Sequence, residues 1–132
     1  MKILDKMSYD MEMARTARER CERYREALYS VGAVRYDKDI VDGGDQSDLS
    51  DKVARLIELE QKADEAKKRL EDDAAVLNGH RFLFTAREWA FVIQYQLLGR
   101  PFEMVLRDCG VHRDQGLRDL ASGRRKAAKI MC

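Results

Sequence analysis

Apolar residues at Leu4, Met7, Met11, Ala14, Cys21, Tyr24 and Leu28 recur in steps of three, four and seven. The stretch that carries them, Ile3 to Tyr29, holds neither glycine nor proline. That spacing gathers them on one face of a long helix whose other faces are charged. The stripe is narrow and calls for a partner. From Ser30 to Ser47 the pattern breaks at Gly32, at Gly43-Gly44 and at a run of aspartates, which predicts an acidic loop at about 31–47. Periodicity returns from Leu49 to Leu77 through Val53, Leu56, Ile57, Ala63, Leu70 and Ala74, with Glu60 and Lys67 falling in the heptad seam. The simplest arrangement is an antiparallel, coiled-coil-like hairpin over 1–79.

Asn78-Gly79-His80 is expected to end the second helix in a left-handed turn. Thr85 to Glu88, TARE, reads as a capping box, in which the Thr hydroxyl and the Glu carboxylate each take a backbone N–H. Trp89, Phe91, Val92, Tyr95 and Leu98 then mark a mostly buried helix that Gly99 stops. Pro101 opens the next helix, Cys109-Gly110-Val111 turns, and a last helix runs from near His112 to about Ile130. These elements predict a three-helix domain over 80–132. No stretch alternates as a strand would, so the expected class is all-α.

Composition supports that class: 37% of residues are charged, 8% are aromatic and one is proline, which suits surface-rich helices better than a sheet. A net charge of +1 means that any attraction to nucleic acid must come from local charge. No apolar run approaches the roughly 20 residues that a membrane span needs. Cys21, Cys109 and Cys132 are odd in number and far apart. A reduced, cytoplasmic protein without disulfides or membrane contact is expected.

Two short-linked helices with a glycine turn, the second rich in arginine, have the layout of a helix-turn-helix. After Val111 the chain carries Arg113, Arg118, Arg124, Arg125, Lys126 and Lys129 against Asp114 and Asp119, a local excess of cations that phosphate neutralisation requires.

Residues Leu83 to Ala128 resemble region 4 of sigma factors through Arg87-Glu88, Val92-Ile93, Tyr95, Gly99, Pro101, Glu103, Val105, Gly110-Val111 and Leu120. The order of long helix, VGAVRYDKDIVDGGDQSD, DKVARLIELE and sigma-like tail is similar to small phage and prophage transcriptional regulators of the RinA-like and ArpU-like kind. The resemblance implies a bacterial host cytoplasm, sequence-specific binding of double-stranded DNA, and contact of the hairpin with RNA polymerase or with a second copy as a homodimer. Carried over by position, Arg113, Gln115 and Arg118 would face bases, and Arg124, Arg125, Lys126 and Lys129 would meet phosphates. The chain departs from the pattern at Leu106, where a small residue is usual, at His112, where a Ser cap is common, and at Gly116, where a buried aliphatic is expected. Asp114 and Asp119 would repel phosphate.

Other chemistry is thin. The aspartates at 37, 39, 42, 45, 48 and 51 lack the spacing and closing Glu of a calcium loop. Cys109 and His112 form a lone C-x-x-H with no second ligand pair, so neither a metal nor another cofactor is expected. No nucleophile triad or phosphate-binding glycine loop is visible, and the chain reads as a non-enzyme. The alternative to a DNA-binding regulator is a protein-interaction module of the same fold that engages RNA polymerase or another phage protein without DNA.

Overall fold

In a computed structural model the backbone is described for residues 1–35 and 45–131, and the side chains for 1–29 and 49–131. The described chain is all-α: α1 spans Ile3–Arg35, α2 Asp45–Gly79, α3 Ala86–Ala90, α4 Phe102–Cys109 and α5 Arg113–Ala127. A 3-10 turn, Arg81–Leu83, precedes α3, and a π-helical segment, Phe91–Leu97, continues it. Both long helices extend beyond the limits that periodicity set, to Arg35 and from Asp45. The rest of the expected acidic loop, 36–44, lies outside the described residues.

The chain forms two compact units, and the division crosses both long helices rather than falling at the Gly79-His80 turn. One unit joins Met1–Tyr9 to Leu70–Cys132, and the other comprises Asp10–Arg69. Within the second unit α1 and α2 run antiparallel, tied by an ion pair from Arg25 to Glu60 at 2.6 Å. Burial follows a four-three rhythm: Ala14, Ala17, Cys21, Tyr24 and Leu28 on α1, and Leu56, Leu59, Ala63 and Ala66 on α2. This phase corrects the sequence reading. Val53 and Ile57 stay 42% and 50% exposed, while Leu59 and Ala66 take the seam. Shifting the phase leaves Lys67 exposed and Glu60 at the seam's edge, where Arg25 reaches it.

The first unit has two hydrophobic clusters. Ile3, Met7, Leu77 and Ile130 form one, with Trp89, Ile93 and Leu97 packed against it; Phe91, Val105, Leu106 and Leu120 form the other, with Tyr95 and Phe102. The π-helical segment therefore serves both clusters, and its wider turn closes with Leu98 N–H donating to Ile93 O at 3.0 Å. Asp73 is buried on α2 and receives Lys6 from α1. Gly79 ends α2 without a left-handed φ, since only Gly99 (φ 70°) and Gly110 (φ 66°) adopt one among the described residues. The exit uses a 3-10 bond instead, His80 N–H to Leu77 O at 3.0 Å.

α5 stops at Ala127, three residues before the expected end, and the chain turns so that Ile3 N–H donates to Ile130 O at 3.0 Å. Ile130 is 3% exposed. Ile130→Ala should lower unfolding free energy by about 2–4 kcal/mol, through lost burial and a residual cavity. Urea denaturation checks this, and a loss under about 1 kcal/mol would mean the tail is dispensable to the core.

Candidate nucleic-acid interface

The capping box is present as read. Glu88 N–H donates to Thr85 Oγ1 at 3.1 Å, and Thr85 N–H donates to Glu88 Oε1 at 2.8 Å. Glu88 does more than cap. Its side chain is buried, accepts from Ser122 Oγ, and pairs with Lys126 Nζ at 2.6 Å. Burial alone would push this carboxyl up. The bonds from Lys126, Ser122 and Thr85 outweigh it and lower the pKa from 4.5 to about 2. One carboxylate thus ties the start of α3 to the second half of α5.

α5 lies close to its neighbours because two of its inner positions are glycine. A Cβ on Gly123 would stand 2.6 Å from Val92 Cγ2 and 3.2 Å from the Glu88 carbonyl oxygen. One on Gly116 would overlap Leu106 Cδ2 and press on Phe91 and Phe102 at 3.1 and 3.3 Å. Leu106 and Gly116 thereby explain each other. Leu106 fills the space that a side chain at position 116 of α5 would need. Gly116 removes no core contact; it makes room for one.

Between these helices Gly110 takes the left-handed cap of α4, its N–H donating to Arg107 O at 3.2 Å, and Val111 N–H donates to Leu106 O at 3.2 Å. His112 occupies the N-cap position of α5 in extended conformation but makes no side-chain capping bond. Cys109 packs against the second cluster, and burial pushes its thiol pKa up, with Asp108 and Asp119 adding to the rise. Among the described residues no group of three His, Cys, Asp or Glu could hold a metal ion, and no helix is long and apolar enough to cross a membrane.

The candidate DNA-facing residues divide. Arg113, Arg118, Arg124, Arg125 and Lys129 are exposed. Arg113 pairs with Glu103 at 2.9 Å and lies over the Phe102 ring at 5.8 Å. Arg124 donates to Gln96 at 2.8 Å. Gln115 is half-buried and donates to Asp119 Oδ1 at 3.0 Å, a position flanking the outer face rather than on it. Lys126 is half-buried against Glu88. Arg118, Arg125 and Lys129 have no side-chain ion pair or hydrogen bond among the described residues.

Asp119 is also not where its charge suggested. It is 8% exposed and carries an ion pair from Arg87 at 3.3 Å, so its charge is met internally. Asp114 alone of the two acids is exposed. Sequence reasoning named Arg87 without a contact role and passed over Leu117 and Ala121. Arg87 lines an open cleft of about 520 Å³ with Arg118, Arg125, Thr85 and Ser122, over a floor that includes Glu88 and Asp119. Leu117 is 46% exposed beside Arg118, and Ala121 lies one turn on. The helical spacing of Leu117 from Ala121 and Arg124 is readable from sequence, but which face points outward depends on Gly116 and Gly123 lying inward.

Comparison of the chain with models of protein families, with curated proteins and with solved structures returns no match.

Proposed function

We propose that α4, the Gly110 turn and α5 act as a helix-turn-helix that binds double-stranded DNA, making the chain a phage or prophage transcriptional regulator of the sigma region 4-like type. The observation that carries this reading is the outer face of α5. Arg113, Leu117, Arg118, Ala121, Arg124 and Arg125 all lie on the exposed side of one helix whose opposite side is locked to α3 and α4. A major groove about 12 Å wide accepts such a helix. The cleft flanking it carries three guanidiniums, from Arg87, Arg118 and Arg125, and suits a backbone phosphate. RNA polymerase, and a second copy met through the hairpin, are the further partners that this reading includes.

The alternative, an interaction module without DNA binding, draws on the intramolecular bonds of Arg113, Gln115, Arg124 and Lys126. Exposed pairs such as Arg113–Glu103 are worth at most about 1 kcal/mol and yield readily to phosphate. Lys126 is different, because releasing it strands a buried carboxylate.

The test is binding of the purified chain to duplex fragments from its own genomic neighbourhood at 50 and 200 mM salt. Four or five phosphate contacts should weaken affinity by roughly 150- to 500-fold between the two. A folded protein that shifts no duplex at the lower salt would transfer the case to the interaction module.

A further inference from the structure

The outer face of α5 is mostly charged, with one short apolar strip running through it. Arg113 and Arg124 flank one side, Asp114, Arg118 and Arg125 the other, and Leu117 with Ala121 lies between them at helical spacing. A leucine left 46% exposed there stands outside the core cluster of Phe91, Val105, Leu106 and Leu120, which lies on the inner side of α5. In the major groove the one apolar feature on a base edge is the C5-methyl group of thymine.

We infer that Leu117, with Ala121 beside it, selects DNA sites by packing on thymine methyl groups within the footprint. This rests on the DNA-binding reading above. It also replaces Gln115 as a base reader, because Gln115 is held by Asp119 on the flank of the helix. Arg118 keeps its place as a polar reader. The groove-facing set thus becomes one apolar strip bordered by four guanidiniums and by Asp114.

The chemistry can be isolated to one methyl group. Duplexes selected from a random pool with the unmutated chain would be remade with deoxyuridine in place of each thymine in turn, which deletes the C5-methyl and leaves every hydrogen-bonding group. At one or two positions uridine should weaken binding about fourfold, the factor for burying one such group. Leu117→Ala should weaken the thymine duplex by a similar factor and bind thymine and uridine forms alike. Arg118→Ala should weaken binding yet still tell them apart. Because Leu117 is exposed, its replacement should leave the thermal unfolding curve in place.

An unmutated chain that binds its selected duplex tightly but distinguishes thymine from uridine nowhere would overturn the inference and leave DNA binding standing. Leu117→Ala retaining full discrimination would do the same. Failure of the unmutated chain to enrich or shift any duplex at low salt would overturn both readings. Loss of binding to RNA polymerase in Leu117→Ala, with DNA affinity unchanged, would assign the side chain to a protein surface and overturn the inference.

Discussion

Replacing Glu88 with alanine is expected to lower unfolding free energy by about 3–5 kcal/mol, the range for breaking a buried ion pair from one side. The substitution strands Lys126 in a half-buried position, deprives Ser122 of its acceptor and removes the return bond to Thr85 N–H. Glu88→Gln should cost less, since the amide still accepts a bond but no longer balances the lysine's charge. The same carboxylate sets an acid limit. Its pKa is about 2 in the folded chain against 4.5 ordinarily, so the unfolded state binds the proton first. The contribution is therefore complete above pH 4.5 and is lost as pH falls from 4.5 towards 2. It amounts to about 3 kcal/mol. Urea midpoints measured at pH 7, 5, 4 and 3 should fall in that window for the unmutated chain and fall less for Glu88→Gln. Parallel curves for the two would refute this role.

The second large effect is a size exchange. Leu106→Ala should cost about 2–5 kcal/mol through a cavity under α5. Gly116→Leu should cost about 1–3 kcal/mol or more through overlap with Leu106, Phe91 and Phe102. The double variant places the small residue on α4 and the large one on α5. It should be more stable than the sum of the single losses predicts, by about 1–3 kcal/mol of favourable coupling. Strict additivity in chemical denaturation would mean that these side chains do not share one space.

Local chemistry was the legible part of this fold. TARE announced its capping box, Gly99 announced a helix stop and Gly110 a turn, and the absence of alternation announced an all-α chain. What escaped depends on distant partners. Val53 and Ile57 are as apolar as Leu59, so periodicity alone could not choose the heptad phase; packing against α1 chose it. Lys126 looked like one more cation on a basic helix, and nothing near it in sequence pointed to Glu88, 38 residues earlier. Gly116 looked like a lost contact because its value depends on Leu106 across the turn. At the candidate interface, residue types were readable and their direction was not. Gln115 turned out half-buried against Asp119 and Leu117 exposed once the inner side of α5 was fixed.

The bond from Ile3 N–H to Ile130 O also bears on how the molecule comes into being. The unit that contains α4 and α5 needs residues from the beginning of α1 and from beyond the end of α5 in one cluster. On the ribosome Ile3 emerges well before Ile130, so its cluster cannot close until the residues between them have been made. During that interval Met7 and Leu77 have only an incomplete cluster to bury them, while the inner lengths of the two long helices are free to pair. Synthesis therefore imposes an order, hairpin before the Ile3–Ile130 cluster, and a ribosome stalled ahead of Ile130 would hold a paired hairpin beside an unfinished second unit.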